Sequence, residues 1–267
     1  SSDPLPQRID SINLGDMFAY LKEIGKGYEG IYNGMEAGAS VYHFHVQFHK
    51  GFSAIWANLD TGRITRDTFY PQEDRKASVL KGWPASAFLF EGKKIRESAD
   101  LIHAMISVLE ERNIPYNLNF RHKDGKFQLI LYPRDITVEK PVGLNSYPKS
   151  WGMFGGVEMS GSVFALLKEG FFDMVDDLSS ADNIKNAISQ MAVSEDTADL
   201  LKSAFLKYIE QQRGEALDKK ITLVSDLGGT LVARGGDFRV EMFSAIREWL
   251  KTNLLIMELK IVVQQIL

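Results

Sequence analysis

Three of the chain's five histidines lie within seven residues, in the stretch H-F-H-V-Q-F-H. His43, His45 and His49 take alternate positions, and Gln47 fills the position between the last two. Because strand side chains point alternately to the two faces of a sheet, this spacing predicts one face of four polar side chains. The phenylalanines and the valine between them predict an opposite face that packs into the core.

One chemistry for such a face is metal binding, since neutral imidazoles are common metal ligands. A mononuclear His-x-His site normally recruits a carboxylate shortly afterwards, but the next acidic residue here is Asp60. Gln47 is also a poor ligand. A metal-binding protein that uses the His43, His45 and His49 face therefore stays open as the alternative.

The other chemistry is nucleophilic catalysis by an imidazole, which the neighbouring residues favour. Imidazole has a reference pKa near 6.5, so much of it is neutral at cellular pH. In this interpretation one imidazole of the run is the nucleophile, His43 can hold its neighbour in the correct tautomer, and Gln47 can donate its amide to a phosphate oxygen. Small residues just upstream could cradle an anion with backbone N–H groups. The substrate- and phosphate-binding candidates are Asn33, Gly38, Ala39, Ser40 and His49.

Hydrophobic periodicity and turn residues predict the elements that must position this face. Apolar residues recur at helical spacing over 14–24 and 98–112, and Asp124-Gly125 predicts a hairpin turn. The predicted strands cover 30–33, 43–49, 52–58, 87–90 and 151–164, and the polar run 61–81 is expected to be an irregular surface excursion. Further helices are expected near 163–169, 181–191 and 195–212, the last with Ser194 as its N-cap.

The order helix, strand, turn, strand occurs twice in this reading, which suggests an internal repeat. Gln128 then stands where His45 stands in the first copy, so the second copy would keep the scaffold without the chemistry. His103 and His122 are expected to be structural, and Arg134 and Lys149 to be solvated surface residues. The elements together predict an α+β fold over 1–213 and a partial α/β segment over 221–267.

Composition limits the classes of function. The 267 residues are 45% hydrophobic and 25% charged, as in ordinary globular proteins. A net charge of −4 gives no overall basic field, so nucleic acid is not an expected partner. The absence of cysteine excludes disulfides, thiolate zinc sites and cysteine nucleophiles. The most apolar stretch, 254–267, is interrupted by charges and is shorter than the roughly 20 residues of a membrane span. We expect a cytoplasmic protein with no membrane partner.

H-F-H-V-Q-F-H fits the signature of the histidine-triad superfamily, in the glutamine form used by its nucleotidyltransferases and phosphorylases. The longer stretch Y-N-G-M-E-A-G-A-S-V-Y-H-F-H-V-Q resembles the GDP-hexose phosphorylases, the family of GDP-L-galactose and GDP-D-glucose phosphorylase. Four further stretches resemble the same family, namely L-F-E-G, N-I-P-Y-N, F-Q-L-I-L-Y-P and V-E-M-S-G. The resemblance covers about residues 5–206. Diadenosine tetraphosphate phosphorylases are the nearest alternative relatives.

This resemblance implies two fused histidine-triad-like halves, with antiparallel sheets and helices, of which one is catalytic. It implies that His45 attacks the α-phosphate of an NDP-hexose and that inorganic phosphate then takes the nucleotide from the histidine. The implied partners are a nucleotide sugar and inorganic phosphate, with no cofactor at His45 and a homodimer allowed. A dinucleoside polyphosphate phosphorylase is the alternative activity. A segment upstream of Leu5 is implied to complete the nucleotide pocket.

A second motif that could handle phosphate lies at 223–232, with the sequence L-V-S-D-L-G-G-T-L-V. It resembles the opening motif of haloacid-dehalogenase-type phosphatases and also the phosphate loop of actin-like sugar kinases. Gly228 stands where the phosphatases carry a second aspartate, so we expect an inactive segment as the sequence stands. The candidate phosphate site of this second domain comprises Asp226, Gly229 and Thr230, and Mg²⁺ would be needed only by a complete domain.

Overall fold

The computed structural model describes residues 6–51, 53–135, 137, 154–162 and 181–213. The chain divides into two compact units, Ser1–Gln211 and Gln212–Leu267. Only residues 212 and 213 of the second unit are described. The predicted helix near 163–169 and the partial α/β segment over 221–267 lie outside the described residues.

The first unit contains both helices and strands, and its last described elements are helices. The helices are α1 (Ser11–Ile24), α2 (Ala54–Asp60), α3 (Ile95–Glu110), the single turn α4 (Gly156–Met159), α5 (Ala181–Gln190) and α6 (195–213). The strands are β1 (Tyr28–Asn33), β2 (Gln47–Lys50), β3 (Thr65–Pro71), β4 (Arg75–Lys81), β5 (Phe88–Gly92), β6 (Tyr116–Lys123) and β7 (Lys126–Pro133).

All seven strands form one antiparallel sheet in the order β2-β1-β6-β7-β5-β4-β3. This arrangement confirms the predicted α+β class. Helix α1 followed by β1 and β2 has the same order as α3 followed by β6 and β7, and β1 pairs with β6. The two helix-strand-strand units therefore lie side by side in the sheet. Asp124 and Gly125, with φ angles of 51° and 72°, join β6 to β7 as a tight turn of the predicted kind.

The sheet buries both of its faces. One face packs against α1, α3 and α6, where the largest buried side chains are Tyr32, Phe18, Phe88, Phe90, Phe120 and Phe205. The other face packs against α2, α4 and α5, and its core contains Trp56, Leu89, Tyr132 and Ile188. The sheet is thus the middle layer of three, and each face has its own core. Within the described ranges, the helices are too short or too polar for a membrane crossing.

The strand predicted over 52–58 is wrong where the structure describes it, because residues 54–58 belong to α2. Ile55, Trp56 and Leu59 are buried together, and their spacing places them on one side of a helix. A strand over the same residues would send Ile55 and Trp56 to opposite faces of the sheet. Short apolar runs of this length do not separate the two periods, which explains the error.

The irregular surface excursion predicted over 61–81 is also wrong. Residues 65–71 and 75–81 pair as the antiparallel hairpin β3–β4, with an irregularity between Thr68 and Tyr70. Ala77 to Leu80 are buried in succession, because β4 lies inside the sheet and both of its faces are covered. The polar residues that suggested a surface segment belong largely to β3, which forms the sheet edge.

The strand predicted over 151–164 is wrong where the structure describes it, since residues 156–159 form the helical turn α4. The Glu158 carboxylate accepts a hydrogen bond from the Gly155 N–H at 2.8 Å and so caps this turn. By contrast, the helix predicted after Ser194 is confirmed. The Ser194 hydroxyl accepts a hydrogen bond from the Thr197 N–H at 3.2 Å, as an N-cap does.

Candidate active site

The histidine run lies at an edge of the sheet, but only its second half is a strand. β2 covers 47–50 alone, and His43 makes an isolated bridge to Pro6 instead of pairing with β1. The strand predicted over 43–49 therefore begins too early. Its predicted apolar face is confirmed, because Phe44, Val46 and Phe48 pack against the core on the α1 side.

His45 has its ring orientation fixed by the residue two before it. The Nδ1 atom of His45 lies 3.0 Å from the backbone carbonyl oxygen of His43. A carbonyl oxygen only accepts hydrogen bonds, so in the neutral imidazole this contact places the proton on Nδ1 and leaves the lone pair on Nε2. The two rings are 5.9 Å apart between centroids. The contact with His45 is thus made by the backbone carbonyl of His43, and a role for the His43 imidazole stays a prediction.

Gln7 joins this site although the sequence analysis did not select it. Its side-chain Oε1 accepts a hydrogen bond from the His45 N–H at 2.9 Å, and its Nε2 donates to the Asn33 carbonyl at 2.6 Å. The backbone N–H of Gln7 donates to the Tyr42 carbonyl at 3.2 Å. No local pattern marks a glutamine that is 38 positions before its partner.

The connection between β1 and β2 contains the residues predicted to cradle an anion. Gly38 has φ +91°, and an added Cβ would lie 2.9 Å from the Cα of Gly155. Glycine is therefore required there both by the backbone conformation and by the close approach of the second chain segment. Ala39 is half-buried and Ser40 is exposed, so this part of the loop is open to solvent.

Asn33, at the end of β1, fixes the position of that loop. Its Oδ1 accepts hydrogen bonds from the Gly156 N–H and from Asn117 Nδ2, both at 2.8 Å. Asn117 Nδ2 also donates to the Ala37 carbonyl at 2.6 Å. Asn33 therefore connects β1, β6, α4 and the loop, while its predicted contact with substrate stays a prediction.

Arg134 is buried, so its prediction as a solvated surface residue is wrong. Its guanidinium donates to Asn117 Oδ1 at 2.7 Å, to the Phe154 carbonyl at 3.0 Å and to the Met191 carbonyl at 3.0 Å. These bonds join β6, the segment before α4 and the end of α5. Burial raises the pKa of nearby Glu158, and its bond from the Gly155 N–H opposes that rise. Lys149 lies outside the described residues.

His49 and Gln47 lie on β2, on the sheet face that α2 covers. Gln47 is exposed and pairs with Ile31, and half-buried His49 pairs with Glu29. Glu29 is buried and its carboxylate accepts a hydrogen bond from the Ser53 hydroxyl. Since directly opposite residues share a face, His49 begins a row of polar side chains that crosses the sheet.

That polar row continues from Glu29 to Arg121, Gln128 and Glu91 on the next strands. Arg121 Nε donates to Gln128 Oε1, and Gln128 Nε2 donates to Glu91 Oε1, both at 2.8 Å. Both amide atoms of buried Gln128 are thus used inside the protein. This agrees with the prediction that the second copy keeps the scaffold without the chemistry.

The structure brings His43, His45, Asn33 and the 38–40 loop into one connected region, through Gln7 and Asn117. The candidate residues Asp226, Gly229 and Thr230 lie outside the described residues. Among the residues that are described, no three His, Asp or Glu side chains converge as they would around one metal ion. His43, His45 and His49 therefore do not form the ligand set that the metal-binding alternative requires.

Comparison with known proteins gives the family. The family model described as "GDPGP1-like, C-terminal domain" matches residues 62–212, which is more than half of the chain. The chain belongs to the GDPGP1-like family. This confirms the family resemblance, and the GDPGP1-like match covers β3 to β7 and most of α6. The histidine run lies just before the matched residues.

No curated protein sequence matches the chain. Among solved structures, it is similar to the yeast Ap4A phosphorylase Apa2, with a TM-score of 0.46 and 15% sequence identity. The similarity covers 72% of this chain and 66% of the yeast protein, which is just under two thirds of that protein's length.

Proposed function

We propose that this GDPGP1-like chain is a phosphorylase of NDP-hexoses, with a GDP-hexose as its substrate and His45 as its nucleophile. The observation that carries the proposal is the contact of His45 Nδ1 with the His43 carbonyl at 3.0 Å. This contact leaves the lone pair of Nε2 available for attack on phosphorus. Family membership supports the substrate class.

The reaction would take place in two displacements at one phosphorus atom. In the first, Nε2 attacks the α-phosphate, and the bond from phosphorus to the bridging oxygen breaks, so that hexose 1-phosphate leaves with that oxygen. In the second, an oxygen of inorganic phosphate attacks the same phosphorus and displaces the imidazole, which gives NDP. Dividing the transfer into two steps lowers the barrier of each.

Negative charge develops on the non-bridging oxygens in both steps and needs fixed donors. We assign this role to the Gln47 amide, the Ser40 hydroxyl and the backbone N–H groups of Gly38 and Ala39. Asn33 and His49 complete the proposed substrate-binding set. The scheme needs no metal ion at His45, and we expect the protein to act in the cytoplasm.

The test is product analysis with the full-length protein. GDP-glucose and phosphate are expected to give GDP and glucose 1-phosphate, and His45→Ala is expected to abolish turnover. His103→Ala, on α3 at the other face of the sheet, is the control and should retain it. Turnover that survives in His45→Ala would refute the proposal. A panel of NDP-sugars and dinucleoside polyphosphates, followed by chromatography, identifies the preferred base and leaving group.

A further inference from the structure

We propose that Gln7 is a positioning residue for His45. Its side-chain amide takes the place of one backbone hydrogen bond between β1 and the histidine run. The inference rests on the proposed function, because it assigns Gln7 a part in the reaction of His45. It concerns a residue far from the histidine run in sequence and in no recognisable motif.

The register of the sheet shows what Gln7 replaces. Ile31 on β1 pairs with Gln47 on β2, and the same register continued by two residues would place Asn33 opposite His45. In such a ladder the Asn33 carbonyl and the His45 N–H face each other. Here the Gln7 amide stands between them, donating to the first at 2.6 Å and accepting from the second at 2.9 Å.

Gln7 is itself held firmly in this position. It is only 6% exposed, and its backbone N–H donates to the Tyr42 carbonyl. Pro6, the residue before it, bridges to His43. Segment 6–7 therefore contacts His45 and the two residues Tyr42 and His43 before it, and it fixes His43 and His45 relative to each other.

The Gln7 amide separates the backbone of His45 from β1, and this separation affects the position of the His45 ring. Because the amide keeps the backbone of His45 away from β1, the ring can place Nδ1 against the His43 carbonyl. Without the Gln7 side chain, the His45 N–H could bond directly to the Asn33 carbonyl, as in a continued ladder. That shift would move the His45 ring away from the carbonyl that sets its tautomer. Only a side chain with both a donor and an acceptor can make the two contacts.

Two variants of the full-length protein separate the two contacts. Gln7→Ala removes both, whereas Gln7→Glu keeps the shape and the acceptor but cannot donate to the Asn33 carbonyl. We expect kcat for GDP-glucose phosphorolysis to fall about 10- to 100-fold in Gln7→Ala with little change in KM, because small displacements of reacting groups cost this much. Gln7→Glu should lie between wild type and Gln7→Ala. Arg8→Gln, a change at the exposed neighbouring residue, should leave both constants unchanged.

A second measurement does not depend on turnover. Long-range ¹H–¹⁵N correlation spectra of histidine-labelled protein report the tautomer of His45. Wild type should show Nδ1 protonated and Nε2 free, and Gln7→Ala should show a mixture of tautomers together with an altered pH profile of kcat. A residue with a merely structural role would lower Tm without changing either. If Gln7→Ala does not fold, the isosteric Gln7→Glu decides the question with the same spectra.

The outcomes separate this inference from the proposed function. If His45→Ala is inactive but the Gln7 variants keep wild-type kcat and wild-type His45 shifts, the positioning role is refuted and the function stands. If His45→Ala keeps its turnover, the proposed function fails. The tautomer spectra then still show whether Gln7 positions His45.

Discussion

At the scale of single residues, the site depends on backbone groups as much as on side chains. The His43 carbonyl sets the tautomer of His45, and the Gln7 amide sets the distance of His45 from β1. Gly38 is a third example, because the backbone of Gly155 can approach it closely only when there is no side chain. The contacts that hold His45 and the 38–40 loop in place thus involve groups that carry no charge.

Gly38→Ala tests the close approach. Alanine would be strained at φ +91° and its Cβ would lie 2.9 Å from the Cα of Gly155. We expect a loss of roughly 2–3 kcal/mol in the free energy of unfolding, measured with urea, from conformational strain and displacement of backbone together. Gly62→Ala is the matched control, since Gly62 has φ +74° and nothing within 4 Å of the added Cβ. Equal losses in the two variants would show that the contact with Gly155 contributes nothing.

At the scale of secondary-structure elements, α2 is attached to the sheet by polar contacts at both ends. Ser53, before its first turn, donates to Glu29 and accepts from Asn119. Asp60, its last residue, accepts two bonds from Arg121 at 2.6 and 2.9 Å. These contacts fix α2 across the polar row that begins at His49.

Asp60→Asn tests the contact at the C-terminal end of α2. The bond from Arg121, aided by Lys123, lowers the pKa of Asp60 from 3.8 to about 2. A carboxyl group whose pKa is depressed in the folded state stabilises it above the unfolded pKa and loses this effect as pH falls through the folded value. Urea unfolding should therefore show wild type losing more stability than Asp60→Asn between pH 4 and pH 2. Asp67→Asn, on exposed β3, should follow wild type, and parallel curves for Asp60→Asn would contradict the prediction.

Prediction from sequence succeeded for elements whose signals are local. α3 has a long apolar periodicity, and the β6–β7 hairpin has Asp-Gly at its turn. It failed for α2, where a short apolar run fits either period, and for β3–β4, where the edge strand is polar. In the site, the alternation of the histidine run predicted the apolar face of Phe44, Val46 and Phe48 that packs against the core. The part of Gln7 depends on a contact across the fold, which no local pattern contains.

At the scale of the whole described unit, α6 closes one face of the sheet through Phe205. Its ring packs edge-on against Phe69, Tyr70 and Phe90, which lie on β3 and β5. Phe205 is fully buried, and the residues it contacts come from far earlier in the chain. This one side chain therefore links the C-terminal helix to the edge of the sheet opposite the histidines.

Phe205→Ala should lower the free energy of unfolding by about 3–5 kcal/mol, because it removes buried apolar area and leaves a cavity. Leu200→Ala, on the same helix but 71% exposed, should change it by less than about 0.5 kcal/mol. Thermal unfolding followed by circular dichroism gives both values. A small loss for Phe205→Ala would mean that α6 does not seal the core on this face.

The two hairpins that meet at β1 and β6 differ in what joins their strands. Residues 124–125 close one tightly, whereas the whole stretch 34–46 spans the other. We expect insertions and exchanges in 34–46 to leave the paired strands on either side in register, because a long connection can absorb them, whereas a change in the tight turn at 124–125 should disturb the pairing of β6 with β7. The two hairpins therefore share a pattern of pairing and differ in how much change their connections tolerate.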